Sequence, residues 1–288
     1  MNHLVAVIWS LGLLAVCWPV AGTRAGWLHK RDLPAYLTAC HHGPDCQAGY
    51  FYRTFCDPAG QWQVELLPYF PEPGDLLLFE TSNKAITFCY KVVGSGAPSH
   101  ATMVFNRPDG TPALLEAGPD FVQSIFLLEP LPRMRDYKGS VMIRRPRVPV
   151  CPERSAALTQ FALEQEGKDY ALCRLLMQGT PFRCRSGLRK KCFACTRLDR
   201  ERWTCYELTV AAGVVAGTMD PHKCLGNAMY PGDMCTDKHY DLSKTYTPPY
   251  LWTEKPIPAR LVWDPEAKNH RLEREEALPP PALESKVP

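Results

Sequence analysis

Three side chains in the sequence could together perform nucleophilic chemistry: Cys205, His100 and Glu116. A thiol attacks as its thiolate and needs a neighbouring base or a helix N-terminus to promote ionisation. Cys205 opens a predicted helix, whose N-terminus directs partial positive charge and backbone N–H groups at the sulfur and at a developing oxyanion. His100 begins a predicted strand, and Glu116 on the next strand can accept from its other ring nitrogen. The set predicts Cys205 as nucleophile, His100 as base and Glu116 as the group that orients His100.

Short apolar runs separated by turn residues predict the strands that position these side chains. The segment 106–110 reads Asn-Arg-Pro-Asp-Gly, which is typical of a tight turn that joins a hairpin. Helical spacing follows over 152–166, with Gly167 placed to end the helix, and resumes over 205–217. The predicted fold is α+β, an antiparallel, partly barrel-like sheet over 73–146 packed by these two helices. Its strands are predicted at Asp75–Phe79, Ala101–Phe105, Ala113–Ala117 and Val141–Arg145.

Four sequence blocks occur in a recognisable order: Pro73–Phe79, Ser99–Val104, Leu114–Ala117 and Arg202–Leu208. This order resembles the permuted NlpC/P60 superfamily, and within it the YaeF/YiiX-like group of papain-like amidases. In that group a Pro-Gly-Asp strand leads into a Ser-His strand, an acidic residue follows, and a Cys-Ser-Glu-Leu helix comes last. The likeness spans 73–217, although Tyr206 stands where serine is usual.

The resemblance implies a circularly permuted papain-like fold and a cysteine-dependent hydrolase that forms an acyl-enzyme thioester. The implied substrate is an amide or ester, such as a peptide, a peptidoglycan cross-link or a lipid amide, and no metal or cofactor is required. Residues 167–170, Gly-Lys-Asp-Tyr, are similar to the Gly-x-x-Tyr segment of NlpC/P60 relatives. By that likeness, Tyr170 would assist the oxyanion through its hydroxyl group.

Two other classes of function remain open from the sequence. An acyltransferase would form the same thioester and pass the acyl group to an acceptor other than water, as the related lecithin retinol acyltransferases do. A catalytically silent binding module would instead have Cys205 in a disulfide, with His100 and Glu116 as ordinary structural residues.

The segment 183–202 is an insertion rich in cysteine and basic residues. Cys192-x-x-Cys195, with Cys184 inside the insertion and Cys173 before it, could bind zinc or exchange disulfides; a single close pair favours structural disulfides in a surface lid. A local basic face here could favour anionic substrates or an anionic envelope surface, and the alternative is a solvated charged loop. The basic residues are Arg183, Arg185, Arg189, Lys190, Lys191, Arg197, Arg200 and Arg202, against Asp199 and Glu201.

The beginning of the chain predicts export. The apolar run Leu4–Gly22 and the small residues that follow are typical of a signal peptide over 1–25, with a retained membrane anchor as the alternative and lipidation at Cys17 as a third. Thirteen cysteines also favour an oxidising compartment; with Cys17 removed and Cys205 free, at most five disulfides can form. The net charge of +3 is too small to predict nucleic acid as the main partner.

Regions outside the catalytic domain are predicted from composition. Residues 26–72 form a loop-rich extension with Cys40, Cys46 and Cys56, in which Cys40-His41-His42 and Cys46 could alternatively hold a metal. Residues 218–268 form a second extension rich in cysteine and proline, and 269–288 form a disordered or surface-bound tail.

Overall fold

The computed structural model describes residues 46–84, 87–88, 96–118, 123–178, 180, 184–185, 187–257, 259–264 and 269–274. Its strands are β1 (Tyr50–Cys56), β2 (Trp62–Pro68), β3 (Leu76–Thr81), β4 (His100–Asn106), β5 (Pro112–Ala117), β6 (Ile125–Leu128), β7 (Gly139–Arg144), β8 (Asp169–Tyr170), β9 (Arg202–Trp203), β10 (Tyr250–Thr253), β11 (Ala259–Asp264) and β12 (Asn269–Arg274). Its helices are α1 (Pro130–Asp136), α2 (Pro152–Gln165), α3 (Leu172–Met177), α4 (Gly187–Phe193), α5 (Cys205–Val215) and α6 (Pro231–Thr236).

The fold is α+β, built on one eight-stranded antiparallel sheet in the order β2-β1-β10-β7-β3-β4-β5-β6. The central strand β3 reads as a continuous apolar run because both of its faces are buried. Leu76 and Leu78 pack in the cluster that includes α2 and α5, whereas Leu77 and Phe79 pack in a second cluster that includes Met134 of α1. The helices α2 and α5 therefore cover one face of the sheet.

The four strands and two helices predicted from the sequence are all present. Each of their ends lies within two residues of the predicted position. The predicted hairpin is the β4–β5 pair, in which Asn106 lies opposite Pro112 and the Arg107 N–H donates to the Thr111 carbonyl at 2.7 Å. Pro152 occupies the first turn of α2, and Gly167 adopts a positive φ of 79° just beyond its end. Local turn and cap residues thus set these boundaries.

The sheet differs from the prediction in its extent and in its closure. It is open, with β2 and β6 as its two edges, so the partly barrel-like form is not seen in the described sheet. Strands β1, β2 and β10 widen it beyond 73–146, from segments that the sequence assigns to extensions. The contact between β10 and the segment before β1 is specific, because the Trp252 indole N–H donates to the Ala48 carbonyl at 2.7 Å.

The start of the predicted disordered tail is ordered in the structure. Residues Asn269–Arg274 form β12 and pair with β11 in an antiparallel ladder in which Leu261 lies opposite Leu272. The sequence predicts a disordered or surface-bound tail from 269, because its charged composition gives no sign of a strand whose partner is the apolar segment beside it. Residues 275–288 lie outside the described residues.

Ten cysteines lie within the described residues, and all ten are free thiols. No disulfide therefore joins any two of them, including Cys184, Cys192 and Cys195 of the insertion. Cys17, Cys40 and Cys89 lie outside the described residues, so a pairing that involves them stays a prediction. The described chain contains no helix that is both long and apolar enough to cross a membrane, and the Leu4–Gly22 run is not part of it.

Gly74, in the Pro-Gly-Asp block, tests how tightly the sheet packs on the segment that follows β7. Its φ is +90°, and a Cβ there would lie 2.7 Å from Val150 Cγ2, whereas Gly60 has a φ of +78° and open space around it. We expect Gly60→Ala to lower the free energy of unfolding by about 1 kcal/mol, the cost of the left-handed backbone alone. Gly74→Ala should lower it by about 1–3 kcal/mol more, because the neighbours must move. Urea unfolding measures both variants, and equal losses would contradict the tight contact.

Candidate active site

Cys205 is the first residue of α5, and a capping box fixes that helix start. The Glu207 N–H donates to Thr204 Oγ1 at 3.4 Å, and the Thr204 N–H donates to Glu207 Oε2 at 3.2 Å. Thr204 is extended, so the chain enters the helix abruptly at the cysteine. Cys205 is a free thiol with 2% of its surface exposed. Its sulfur therefore lies at a rigid helix N-terminus.

Glu207 also connects this helix start to two neighbouring segments. Its buried carboxylate lies 3.1 Å from Arg174 Nη2 of α3 and 3.4 Å from Arg200 Nη2, in the segment that leads into β9. Two arginines and a cap offset the cost of desolvating the carboxylate. This role of Glu207 was not predicted from the sequence, although the Thr-x-x-Glu spacing of a capping box is present at Thr204 and Glu207.

His100 stands at the first position of β4, opposite Phe79 of β3, and contacts both other members of the predicted set. Its Nε2 lies 3.0 Å from Glu116 Oε1 on β5. The imidazole also hydrogen-bonds to the side chain of Cys205. Because Nε2 is engaged by Glu116, Nδ1 is the ring nitrogen left for the sulfur. The structure thus brings Cys205, His100 and Glu116 together in one chain of contacts.

A fourth residue, Arg133 of α1, also binds the Glu116 carboxylate. Its Nη2 donates to Glu116 Oε1 at 2.7 Å and its Nε donates to Oε2 at 3.0 Å. The guanidinium lies 5.3 Å from the ring centres of Phe79 and Tyr137, so aromatic faces hold it in place. Arg133 and Glu116 are both buried. The sequence did not reveal Arg133, because no local pattern links it to a strand 17 positions earlier.

The charges in this cluster stabilise one another. Burial alone would raise the pKa of Glu116, but Arg133 and His100 outweigh it and hold that pKa at about 2. Burial alone would lower the pKa of His100, but its interactions with Cys205 and Glu116 outweigh burial and raise that pKa to about 10. The imidazole therefore holds its proton more tightly than an ordinary histidine does, and it lies between the sulfur and a carboxylate.

Tyr170 lies close to the segments that carry Glu116 and Cys205. It pairs with Trp203, two residues before Cys205, in the short parallel β8–β9 ladder. Its ring also packs on Gly118, two residues after Glu116, where a Cβ would lie 2.8 Å from the ring. Gly118 has a φ of +71°, so the lack of a side chain serves both the turn and this packing. Tyr170 is thus near the site, and its role with the oxyanion stays a prediction.

Alternative metal sites fall partly inside the described residues. Within the described ranges, no group of three or more His, Cys, Asp or Glu side chains is arranged to hold a metal ion. This covers Cys173, Cys184, Cys192 and Cys195. The cluster Cys40-His41-His42 lies outside the described residues, so a metal there remains an alternative prediction for the N-terminal segment.

Comparison with known proteins gives a partial likeness to solved structures. No protein-family model matches the chain, and a search of curated proteins gives no significant match. Among solved structures, the chain is similar to the crystal structure of metalloprotein yiiX from Escherichia coli O157:H7. The two share 18% sequence identity, with a TM-score of 0.36 over 52% of this chain and 69% of that one. A likeness at this level assigns no activity.

The buried Arg133–Glu116 pair can be tested against a surface pair on the same helix. Arg133→Met leaves the Glu116 carboxylate buried with one partner fewer, so we expect the free energy of unfolding to fall by about 3–5 kcal/mol. Arg135→Met removes an exposed contact with Asp136 and should cost less than about 1 kcal/mol. Chemical denaturation of the two variants measures this difference. Similar, small losses in both would show that Arg133 does not support the carboxylate.

The lowered pKa of Glu116 predicts how stability falls in acid. The pKa of Glu116 is about 2 in the folded protein, against an ordinary value of 4.5. Such a carboxylate stabilises the fold above pH 4.5, and this contribution is lost as the pH falls through 2. The loss attributable to this group is about 3 kcal/mol. Glu116→Gln should remove that part of the acid dependence, although it lowers stability at every pH. The unfolding free energies of the parent protein and of Glu116→Gln should therefore converge as the pH is lowered from 7 to 2. Parallel curves would contradict the lowered pKa of Glu116.

Proposed function

We propose that this protein is a cysteine-dependent hydrolase that cleaves an amide or ester bond, with Cys205 as nucleophile. The observation that carries the proposal is the imidazole of His100, hydrogen-bonded on one side to the Cys205 side chain and on the other to Glu116 at 3.0 Å. A charged imidazole beside a sulfur at a helix N-terminus is the arrangement that favours a thiolate. A peptide, a peptidoglycan cross-link or a lipid amide would suit this chemistry.

The first step is attack of the thiolate on the substrate carbonyl carbon. A carbon–sulfur bond forms, and the carbonyl electron pair moves to oxygen. The oxyanion would lie at the first turn of α5, where the N–H groups have no acceptor within the helix. Thr204 already accepts from the Glu207 N–H, so the N–H groups of Cys205 and Tyr206 are the donors we assign. The hydroxyl of Tyr170 is the additional donor.

The second step breaks the scissile bond. The His100 imidazolium gives its proton to the leaving amine or alcohol, and the oxyanion collapses to a thioester on Cys205. Neutral His100 then takes a proton from water, whose oxygen attacks the thioester carbon. Collapse of the second oxyanion releases the carboxylic acid product and restores the thiolate and imidazolium. The proton that His100 gives to the leaving group is replaced by one from water, so the cycle ends with His100 protonated again.

Glu116 and Arg133 hold the imidazole through this cycle. Glu116 fixes the ring orientation and stabilises the imidazolium, and Arg133 keeps Glu116 ionised and immobile. We infer that substrate approaches from the His100 side, because that side chain is 15% exposed whereas Cys205 is 2% exposed. Export through the N-terminal run is part of the proposal and rests on the sequence alone.

The reaction can be tested with p-nitrophenyl acetate, an activated ester that needs little substrate recognition. We expect release of p-nitrophenol together with an acetyl group on Cys205, located by peptide mass mapping. Cys205→Ala should abolish both, and His100→Ala should slow turnover by about 10²–10⁴-fold, the usual contribution of general acid–base catalysis. Cys173→Ala, at an exposed thiol of α3, is the matched control and should retain full activity.

Two results of this assay would change the proposal. Acetylation of exposed thiols at the same rate as Cys205 would show that Cys205 is not activated, and the hydrolase proposal would fail. Transfer of the acetyl group to an added amine or alcohol faster than to water would identify an acyltransferase that uses the same thioester.

A further inference from the structure

The helix α4 in the basic insertion has its apolar side chains on the outside. It contains no buried residue, and Leu188 and Phe193 are 79% and 63% exposed. A helix on the surface of a soluble domain normally buries its apolar residues and exposes its charged ones. Large apolar side chains that protrude together from one short element mark an interaction surface.

The direction of this surface follows from helix geometry. Lys190 is the residue of α4 that turns inward, with its Nζ 4.6 Å from the ring centre of Tyr240. Successive residues turn by about 100° in an α-helix, so Leu188 and Cys192 lie opposite Lys190 and point outward. Lys191 lies about 60° from Leu188 around the helix. Phe193, the last residue of α4, lies about 60° from Lys190 on the other edge and is also exposed. We call these four exposed residues, Leu188, Lys191, Cys192 and Phe193, the outer face of α4.

Contacts at both ends of α4 hold the outer face in position. Before the helix, Arg185 makes two hydrogen bonds to Asp233 of α6, at 2.6 and 2.8 Å, and stacks on Tyr230 at 4.3 Å. After it, Asn227 donates to the Phe193 carbonyl at 2.9 Å and accepts from the Cys195 N–H at 2.8 Å. The helix that carries the exposed apolar residues is therefore held in place at both ends.

The charges around the outer face determine which partner fits it. Arg185, Arg200 and Arg202 of the insertion contact carboxylates of the protein itself. Lys191 on α4 and Arg197 just after it are exposed. Apolar side chains beside lysine and arginine match the boundary of an anionic bilayer, where acyl chains lie beneath phosphate groups.

We propose that the outer face of α4 docks this protein on an anionic lipid membrane. Leu188 and Phe193 enter the boundary between headgroups and acyl chains, and Lys191 and Arg197 contact the phosphates. The segment from α4 continues through Arg200, which contacts Glu207 in the first turn of the helix that carries Cys205. Docking would therefore place the nucleophile helix near the lipid surface. The docking itself needs no thiol, so it stands apart from the proposed reaction.

The test is co-sedimentation of the full chain with vesicles of phosphatidylcholine, alone or mixed with phosphatidylglycerol. The docking signal is the extra binding to the anionic vesicles, since an apolar N-terminal segment would bind both kinds. Leu188→Ser with Phe193→Ser should reduce this signal about tenfold. Lys191→Glu with Arg197→Glu should reduce it at least about 25-fold, because each basic residue near the surface contributes about fivefold.

Matched controls separate docking from general surface effects. Val148→Ser removes an exposed apolar residue outside α4, Lys255→Glu reverses an exposed charge near β10, and Cys205→Ala removes the thiol. All three should bind as the parent protein does, and the two surface variants should show unchanged thermal unfolding. The proposal is overturned if the parent shows no extra binding to anionic vesicles, or if the α4 variants retain it. It is also overturned if only the charge reversal weakens binding, because a polyanion or acidic protein surface would then be the partner.

Discussion

The carboxylate of Glu116 is fully buried, and the arrangement of the site follows from the need to compensate its charge. An ionised group without solvent is stable only with close cations and hydrogen bonds, and removing one partner is costly. Arg133 and His100 provide those partners, and both contact Oε1 of the carboxylate. This places α1 against the strand that carries Glu116, sets the plane of the imidazole and raises its pKa. One compensated carboxylate thus couples the packing of a helix to the properties of His100.

A second buried carboxylate performs the corresponding task for Cys205, the proposed nucleophile. Glu207 caps its own helix through Thr204 and contacts arginines from α3 and from the segment before β9. The sulfur is therefore positioned by the helix start and the imidazole by the sheet, and the two meet because α5 packs on β4. The insertion reaches this centre through Arg200, so the basic surface and the reactive group belong to one connected structure.

The sequence predicts the parts of this fold whose signals are local. Apolar runs and an Asn-Arg-Pro-Asp-Gly turn are enough for β3, β4 and β5, and therefore for the side-by-side positions of His100 and Glu116. Arg133 was not predictable, because a buried ion pair leaves no local pattern. The pairing of β1 with β10 was missed for a related reason: the partners lie about two hundred residues apart, and β1 lacks a regular alternation of buried and exposed residues.

We propose that Cys205 and His100 form an activated pair, and alkylation of the native protein is a direct test of that pair. The protein is treated with iodoacetamide at pH values from 5 to 9, and labelling at Cys205, Cys173 and Cys192 is followed by mass spectrometry beside the His100→Ala variant. We expect Cys205 to react in the acidic part of the range, where the two exposed cysteines of the parent react slowly, and we expect His100→Ala to abolish this reactivity. Labelling of Cys205 that rises with pH as it does at the exposed cysteines, or that is unchanged in the variant, would contradict it.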